Sequence, residues 1–476
     1  MPYISTIGLE VHVQLKTKSK IFCGCPNGFG GEPNTQVCPV CLGYPGALPV
    51  VNEEAIRLTV RAGLMIGSKI NPYSKFDRKN YFYPDMPKNY QISQYDKPLC
   101  LGGSVEIETG VGRRAVGITR IHLEEDVGKS MHFGTSSGVD FNRAGSPLME
   151  IVTEPEIGSP DEAYAFLTTL REILLYAGVS ECDLEKGHLR CDVNCSVRPE
   201  GQTELGTKIE IKNMNTFKGV HRALQYELAR QAAVLEQGGA IRQETRRWDD
   251  EAGVTEAMRT KEYAHDYRYF PEPDLMPIVL PSEQIEAWRA TLPERPAVRR
   301  ARLIRDLGLP EYDAGVLVAE KAIADYFEET ARLCGEPKAA SNWIMTTLME
   351  LLTAKKMSIQ QASITPAQVA EIIQLTKKNT ISVAVGREVF RAVFETGESP
   401  AAIVEKKGLA QVSDTGALEA LVAQAVAEHP GPVADYRAGK KAALQFLVGQ
   451  VMRRSKGKAN PQMVLEMLQK NLGPAG

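Results

Sequence analysis

The sequence has no long hydrophobic segment. A run of about 18 apolar residues, close to the minimum for a helix that spans a bilayer, occurs nowhere in the chain. The first residues, MPYISTIGLEVHV, carry no basic segment and reach Glu10 before a hydrophobic stretch could form, so they do not predict a signal peptide. We therefore expect no membrane partner and a cytoplasmic location, with an organelle matrix as the alternative.

The sequence also lacks the glycine-rich loops that most often hold nucleotide phosphates. Neither the pattern GxxxxGK[ST] nor the glycine-rich loop of protein kinases occurs in it. Internal repeats and low-complexity segments are absent as well. If a nucleotide binds to this chain, we expect a β-sheet to hold it rather than a phosphate loop.

Cysteines are few, and their number argues against a disulfide framework. There are nine, an odd number, and four of them cluster, which favours a reducing compartment and a metal. Cys23 and Cys25 form a CGC pair, and Cys38 and Cys41 form a CPVC pair after 12 intervening residues. Two thiolate pairs separated by a glycine-rich loop predict a structural Zn²⁺ site in an insertion at about 22–42. Free thiols or a redox pair are the alternatives.

The remaining composition fits a multidomain globular protein with a basic tail. A length of 476 residues predicts two to four domains, and 43% hydrophobic and 24% charged residues are ordinary proportions. The last 46 residues contain eight Lys or Arg and two acidic residues, a net charge of +6. Because the whole chain carries −3, the rest carries −9. The tail therefore predicts an anionic partner.

The pattern of apolar residues predicts an α+β fold. Up to about residue 290, short strand-like runs alternate with turns rich in Gly, Pro and Asn. Beyond that point apolar residues recur at three- and four-residue spacing, which is typical of helices. We predict a sheet-containing domain at 1–290, a helical domain at 291–405 and a basic helical tail at 406–476.

Four predicted strands have one apolar and one polar face each. They lie in IGLEVHVQL, ITRIHLEEDVGK, HLRCDVNCSV and TKIEIKN, where side chains alternate between the two faces. Glu125 breaks this alternation, and we interpret it as brought to the polar face by a bulge or by the end of its strand. The polar faces contain Glu10, His12, Arg120, His122, Glu124, Arg190, Asp192, Asn194, Lys208, Glu210 and Lys212.

These polar faces offer carboxylates and imidazoles interleaved with cations. Such a set suits Mg²⁺ and a polyphosphate, since Mg²⁺ takes oxygen ligands while Lys and Arg bind the remaining phosphate oxygens. A bound cation would also explain why Glu124 and Glu125 are adjacent in a strand, where acidic residues are unfavourable. The alternative is an antiparallel sheet with one solvated face.

Two further segments combine aromatic or apolar residues with cations. The segment 75–98 places Lys79 and Tyr81 among several Tyr and Lys residues, a pattern that suits a nucleic-acid end or a hairpin with aromatics in the core. The tail segment KKAALQFLVGQVMRRSKGKANP has an apolar face and free cations that could contact a phosphate backbone or simply face solvent. Its candidate RNA-binding residues are Lys440, Lys441, Arg453, Arg454, Lys456 and Lys458.

Several long motifs together resemble one family over essentially the whole chain. That family is the B subunit of the tRNA-dependent Asp/Glu amidotransferase. The motifs are IGLEVHVQL, KFDRKNYFYPD, ITRIHLEEDVGK, DFNRAGSPLMEIVTEPEI, LRCDVNCSVRP, GTKIEIKNMN, QETRRWD, DYRYFPEPDL and FLVGQVMRRSKGKANP.

The resemblance implies a cradle-shaped catalytic domain related to glutamine synthetase, a helical domain and a tRNA-binding tail. It implies ATP and Mg²⁺ as cofactors and the side-chain carboxylate of Glu or Asp on misacylated tRNA(Gln) or tRNA(Asn) as substrate. This carboxylate would be phosphorylated and then amidated by ammonia. The chain shows no motif for cutting glutamine, so the ammonia would come from an amidase A subunit, with a small C subunit joining the two. An aminoacyl-tRNA synthetase is a further candidate partner.

The resemblance also suggests a role for individual residues. Arg190 and Lys208 become candidates for binding phosphate, and Lys79 and Tyr81 for the aminoacyl end. Lys88 becomes a candidate gate for ammonia near Glu125. The candidate Mg²⁺ ligands are Glu10, His12, Glu124 and Glu125, with Asp192 and Glu210 for a second metal or the nucleotide.

Two other classes of function remain open. A noncatalytic subunit that presents tRNA would need the basic tail but no metal. A ligase related to glutamine synthetase and acting on a free small molecule would need the metal site but no tail.

Overall fold

The structure, a computed structural model, describes residues 2–258, 267–409, 415–455 and 459–473. It divides into two compact units, Met1–Pro296 and Ala297–Gly476. The first is rich in strands and the second is helical, so the predicted α+β class is confirmed. The finer division into domains at 1–290, 291–405 and 406–476 stays a prediction.

The first unit contains the described strands and four helices. The strands are β1 Tyr3–Gln14, β2 Lys69–Ile70, β3 Tyr73–Ser74, β4 Asp77–Asn80, β5 Tyr90–Ser93, β6 Cys100–Leu101, β7 Ser104–Thr109, β8 Gly112–Glu125, β9 Lys129–Phe133, β10 Ser136–Asp140, β11 Pro147–Thr153, β12 Leu189–Pro199, β13 Ile209–Lys212, β14 Glu244–Asp249, β15 Val254–Ala257, β16 Phe270–Pro271 and β17 Ile278–Val279. The helices are α1 Glu53–Met65, α2 Pro160–Ala177, α3 Phe217–Glu236 and α4 Ser282–Ala290.

The main sheet has ten strands and forms the frame of the first unit. Its order is β15-β14-β13-β12-β1-β11-β8-β6-β2, and β7 pairs with β8. All of these pairs are antiparallel except β13 with β14. The long strand β1 therefore lies between β12 and β11, so that three of the four strands with a predicted polar face, β12, β1 and β8, lie within four neighbouring positions.

One face of this sheet is the core of the unit. Leu9, Val11 and Val13 of β1 are buried, as the alternation predicted, and α3 packs over the same face of β12. Helix α2 shows how sequence sets an element's limits: the Ser159 side chain accepts a hydrogen bond from a first-turn N–H, and Gly178 ends the helix with a positive φ of 66°.

The second unit consists of helices. They are α5 Pro296–Leu307, α6 Glu311–Val318, α7 Lys321–Cys334, α8 Pro337–Trp343, a π-helical segment Ile344–Leu348, α9 Met349–Lys355, a 3₁₀ turn Ile359–Gln361, α10 Pro366–Lys377, α11 Val383–Thr396, α12 Pro400–Lys406, α13 Thr415–Glu428, α14 Pro430–Arg437, α15 Lys441–Arg454 and α16 Pro461–Leu472. Helices α13–α16 share a buried cluster of their own that includes Leu418, Leu447 and Leu468. None of the helices in the described ranges is both long and apolar enough to cross a bilayer.

Candidate active site and cysteine cluster

The register of four neighbouring strands assembles one polar face. His12 of β1 lies opposite Arg190 of β12 and opposite Glu150 of β11. Glu150 in turn lies opposite His122 of β8, and Glu10 lies opposite Asp192 of β12. Residues that are directly opposite in a sheet share a face, so the side chains predicted from separate segments do come together here.

The centre of this face is a buried cluster of imidazoles and carboxylates. His12 Nε2 lies 3.2 Å from Glu150 Oε2 and 4.0 Å from Glu124 Oε1. His122 Nε2 lies 3.6 Å from a carboxylate oxygen of each of the same two glutamates. One ligand atom each of His12, Glu124 and Glu150 lies within 4.8 Å of the others. One imidazole and two buried carboxylates form a donor set that fits a divalent cation.

The electrostatics of the cluster fit the same interpretation. Burial lowers the pKa of His12, but its hydrogen bond to Glu150 and the negative charges of Glu150, Glu124 and Asp192 outweigh burial and raise the pKa to about 9. Burial raises the pKa of Glu150, whereas the charges of His122 and His12 lower it well below its usual value. The Glu150 carboxylate thus stays ionised because positive charge is close, and a metal cation could replace the proton on His12.

Beside this cluster a lysine joins the carboxylates that were predicted to hold a second metal. Lys212 Nζ lies 2.6 Å from Asp192 Oδ2 and 3.6 Å from Glu210 Oε1. Asn194 Nδ2 donates to Glu10 Oε1 over 2.8 Å. Asp192, Glu210 and Glu10 therefore lie on the expected face, but Lys212 already neutralises part of their charge.

Glu125 does not lie on this face: β8 has no bulge at Glu125, and the end of the strand at this residue does not bring its side chain to the polar face either. Glu124 and Glu125 pair in unbroken register with Leu148 and Pro147, so the regular alternation of a strand turns the Glu125 side chain to the opposite face. There its carboxylate accepts hydrogen bonds from Lys88 Nζ over 2.5 and 2.6 Å and from the Ile92 N–H. The prediction that grouped Glu125 with His12 is corrected accordingly.

The ion pair between Lys88 and Glu125 borders a small cavity. This cavity has a volume of about 90 Å³ and is also lined by Tyr44, Cys23 and Cys41. Both charged side chains are largely buried, with side-chain exposures of 11% for Lys88 and 3% for Glu125. The predicted neighbourhood of Lys88 and Glu125 is therefore present, on the face of β8 that lies toward the cysteine cluster.

Lys79 and Tyr81 lie close to the central cluster. Burial lowers the pKa of Lys79, but nearby negative charges, including those of Glu124 and Glu150, raise it overall. Lys79 Nζ lies 4.9 Å from the ring centroid of Tyr267, and Tyr81 packs edge-on against the same ring with centroids 6.2 Å apart. A cation and an aromatic wall thus stand beside the candidate metal ligands.

The two predicted phosphate-binding cations differ in their surroundings. Arg190 Nη2 donates to Asp126 Oδ2 over 2.6 Å, and Arg143 Nε lies 3.6 Å from the same oxygen. Although burial raises the pKa of Asp126, the charges of these two arginines lower it overall. Lys208 is an exposed residue immediately before β13.

Sequence reasoning missed Glu150 as a candidate ligand and gave no role to His122. Glu150 lies in β11, PLMEIVT, where apolar residues occupy both parities and hide the alternation. A single glutamate inside such an apolar strand is itself a signal, because buried carboxylates are rare unless they are paired. Asp126 and Lys212, the ion-pair partners of predicted residues, were also given no role.

The four cysteines that were predicted to bind zinc come together. One sulfur atom from each of Cys23, Cys25, Cys38 and Cys41 lies within 4.8 Å of the others. The Cys38 N–H donates to Cys41 Sγ, and a hydrogen bond with Cys23 together with the charge of Lys20 lowers the pKa of the Cys41 thiol to about 4 although burial raises it. Burial raises the pKa of Cys25 to about 11. Four sulfurs at these distances form a donor set that fits a tetrahedral Zn²⁺.

The tail presents some of its predicted cations at the surface. Lys441 and Arg453 of α15 are exposed. Lys440 lies 2.9 Å from an oxygen of Asp435, and Arg454 pairs with a glutamate of α13. The predicted residues Lys456 and Lys458 lie outside the described residues.

Comparisons with known protein families agree with the resemblance that the sequence motifs indicated. The GatB/GatE catalytic domain family matches residues 5–286, and the GatB domain family matches residues 325–472. The first match contains the polar face, the cavity and the four cysteines, and the second contains helices α8–α16.

Similar full-length proteins share one name, the B subunit of aspartyl/glutamyl-tRNA(Asn/Gln) amidotransferase. The protein from Caldanaerobacter subterraneus subsp. tengcongensis is 54% identical over 473 residues, which is 99% of this chain and 100% of that protein. The one from Carboxydothermus hydrogenoformans is 51% identical and covers 99% of both chains, and the one from Moorella thermoacetica is 50% identical. With motifs, domain matches and full-length identity in agreement, this chain belongs to the family of B subunits of the aspartyl/glutamyl-tRNA(Asn/Gln) amidotransferase.

Proposed function

We propose that this chain uses ATP to amidate the side-chain carboxylate of Glu on tRNA(Gln), of Asp on tRNA(Asn), or of both. The carboxylate is first phosphorylated, because a carboxylate is a poor acyl donor and an acyl phosphate reacts readily with an amine. Ammonia then displaces phosphate and leaves the amide. The observation that carries this proposal is the convergence of His12, Glu124 and Glu150 on one buried face.

The polar face supplies the groups for the phosphorylation. His12, Glu124 and Glu150 would hold Mg²⁺, which when bound neutralises charge on the terminal phosphates of ATP. Glu10, Asp192 and Glu210 would border the nucleotide or a second cation. A phosphoryl group that is transferred here needs positive charge around its oxygens, which this chain's own cations can supply.

Four further residues have proposed positions along the substrates. Arg190 and Lys208 would bind phosphate oxygens, and Asp126 holds the Arg190 guanidinium in place. Lys79 and Tyr81 would hold the aminoacyl end, with the Lys79 ammonium beside the carboxylate that reacts. This fits the position of Lys79 between an aromatic ring and the central cluster.

Ammonia would reach this site from a partner. Because the related proteins are named as the B subunit of an amidotransferase, a complex of several subunits is implied, and we propose an amidase A subunit and a small C subunit as its other members. The ion pair of Lys88 and Glu125 beside the 90 Å³ cavity would act as a gate. In this proposal Glu125 lies on the face of β8 toward the cavity and acts in the passage of ammonia, not as a metal ligand.

The remaining proposals concern the framework. We propose that the first unit is a cradle related to glutamine synthetase, that the four cysteines hold a structural Zn²⁺, and that the protein works in the cytoplasm, where aminoacyl-tRNA is available. The sulfur distances support the zinc site. The mainly antiparallel sheet with one polar face supports the cradle.

The direct test supplies the purified complex with each misacylated tRNA in turn, with ATP, Mg²⁺ and glutamine. We expect Gln-tRNA(Gln), Asn-tRNA(Asn) or both to form, and omission of ATP or Mg²⁺ to stop amide formation. Binding of the tRNA without ATP turnover would identify a noncatalytic tRNA-presenting protein instead. Amide formation on free glutamate at the same rate would identify a small-molecule ligase.

The tail is proposed to bind the tRNA backbone, and this gives a separate prediction. The double substitution K441E/R453E should weaken tRNA binding about tenfold or more at moderate salt. It should also reduce the slope of log binding constant against log salt concentration by about two, because binding releases fewer counterions when two phosphate contacts are lost. The measurement is a tRNA binding titration at several salt concentrations.

A matched control separates a specific contact from a change of net charge. The double substitution K356E/K378E reverses two exposed lysines that directly follow helices α9 and α10, before the tail, and changes the net charge by the same amount. We expect it to retain most of the affinity. Equal losses in the two double variants would contradict a specific role of the tail.

A further inference from the structure

A lysine lies fully inside the first unit beside the four cysteines. Lys20 has an exposure of 0% and is among the largest fully buried side chains of the described chain. Its backbone is held on the cysteine loop, because the Lys20 N–H donates to the Cys25 carbonyl over 2.9 Å. Burial of an ammonium group is strongly unfavourable unless negative charge compensates it.

The compensating groups of Lys20 are few. Its Nζ lies 3.5 Å from Cys41 Sγ and 3.4 Å from the Phe141 carbonyl oxygen, so it can donate to both. Among the residues that the structure describes, no carboxylate oxygen forms an ion pair with it. Of the two groups that Lys20 Nζ contacts, Cys41 Sγ is the one that can carry a negative charge to balance this buried ammonium.

The proposed zinc site carries a charge opposite in sign to that of the Lys20 ammonium. One Zn²⁺ bound by four thiolates carries a net charge of −2, in a site where Cys41 is buried and the other three cysteines are partly buried. Neutral hydrogen-bond donors reduce this excess only in part, whereas an ammonium group against one of the sulfurs offsets half of it. The buried cation and the partly buried anionic site would each be unfavourable alone and are compatible together.

We propose that Lys20 is the buried charge partner of a zinc–tetrathiolate site, donating to Cys41 Sγ and thereby tightening zinc binding. The inference rests on the proposed zinc site and not on amidation. Through the Phe141 carbonyl, Lys20 also joins the cysteine loop to the segment that contains Gly145. Gly145 lines the cavity beside Glu125 and accepts a hydrogen bond from the Ile21 N–H.

The test compares the zinc affinity of the whole protein with that of three Lys20 variants. Zinc content is measured first in the unaltered protein, and affinity is then measured by competition with a colorimetric chelator. Lys20→Met keeps the length and removes the charge, and Lys20→Gln keeps hydrogen-bond donors without charge. We expect both to weaken zinc binding about 10- to 100-fold, the usual range for a partner of a metal ligand. Lys20→Arg keeps the charge and should lose less.

A control and a second measurement make the result specific. Lys18→Met removes an exposed lysine two positions away and should leave the zinc affinity unchanged. Thermal midpoints with zinc and with excess chelator should show that Lys20→Met lowers stability in the zinc-bound protein more than in the zinc-free one. If Lys20→Met does not fold, the Gln and Arg variants give the same comparison.

Each outcome decides the inference. Wild-type affinity in both Lys20→Met and Lys20→Gln would overturn it, as would an equal loss in Lys20→Arg and Lys20→Met. Protein that contains no zinc and binds none would overturn the zinc site and this inference together. It would leave the amidation proposal standing, because amide formation is assayed separately.

Discussion

Glu150→Gln is expected to reduce ATP-dependent amide formation on the order of 10²- to 10³-fold or more, with little change in tRNA binding. Glu150 contributes an ionised carboxylate to the centre of the polar face, 3.2 Å from His12 and 3.6 Å from His122. A neutral amide of the same shape keeps the packing but removes the charge that would attract Mg²⁺. Amide formation and ADP release by the complex, measured over a range of Mg²⁺ concentrations, check this.

A nearby glutamate provides the control for this variant. Glu154 follows β11, is exposed and accepts a hydrogen bond from Thr119 Oγ1 over 2.8 Å, away from the two histidines. Glu154→Gln should keep nearly wild-type amide formation. If Glu150→Gln amidates at the wild-type rate at every Mg²⁺ concentration, the metal site does not lie at His12, Glu124 and Glu150.

Glu125→Gln is expected to abolish amide formation from glutamine while the glutaminase activity of the partner stays measurable. The substitution leaves the Lys88 ammonium, whose side chain is 11% exposed, without its carboxylate partner. Loss of one member of a buried pair is unfavourable by about 3–5 kcal/mol, so the Lys88 side chain should move away from this position. The gate beside the cavity would then no longer pass ammonia to the polar face. The measurement follows glutamine hydrolysis and amide formation in the same reaction.

A double variant separates this functional effect from a loss of stability. Lys88→Met combined with Glu125→Gln removes both charges, so the unpaired buried ammonium disappears and part of the stability should return. Amide formation should remain absent in the double variant. Full amidation by Glu125→Gln, or its return in the double variant, would count against a gate at this pair.

Much of the site could be predicted from the two-residue period of β-strands and from the spacing of the cysteines. In IGLEVHVQL and HLRCDVNCSV the two-residue alternation places His12 and Asp192 on the face of the strand away from the apolar residues. The structure has both on the polar face. The spacing of the cysteines likewise predicted that four sulfur atoms share one site, and these four converge in the structure. Local spacing is sufficient in these cases because it sets the direction of each side chain within a strand or loop.

Other parts needed knowledge of which strands are neighbours. Glu150 was missed because its strand is apolar on both parities, and only its position between β1 and β8 brings it to His12 and His122. Glu125 was placed on the wrong face because a bulge or the end of its strand was expected to reverse the alternation, whereas the pairing there is regular. The close contact of Lys212 with Asp192 also depends on the pairing of β12 with β13.

The sequence by itself determined the α+β class, the polar faces of the strands, the cysteine cluster and the family. The first three follow from residue type and spacing, which act over a few residues, and the family follows from long motifs within the sequence. Only the tertiary structure decided which carboxylates share the candidate metal site, which one pairs with Lys88, and that Lys20 lies buried against Cys41. Such contacts join residues 21 to 138 positions apart, and the sheet register that sets these distances is a property of the whole folded unit.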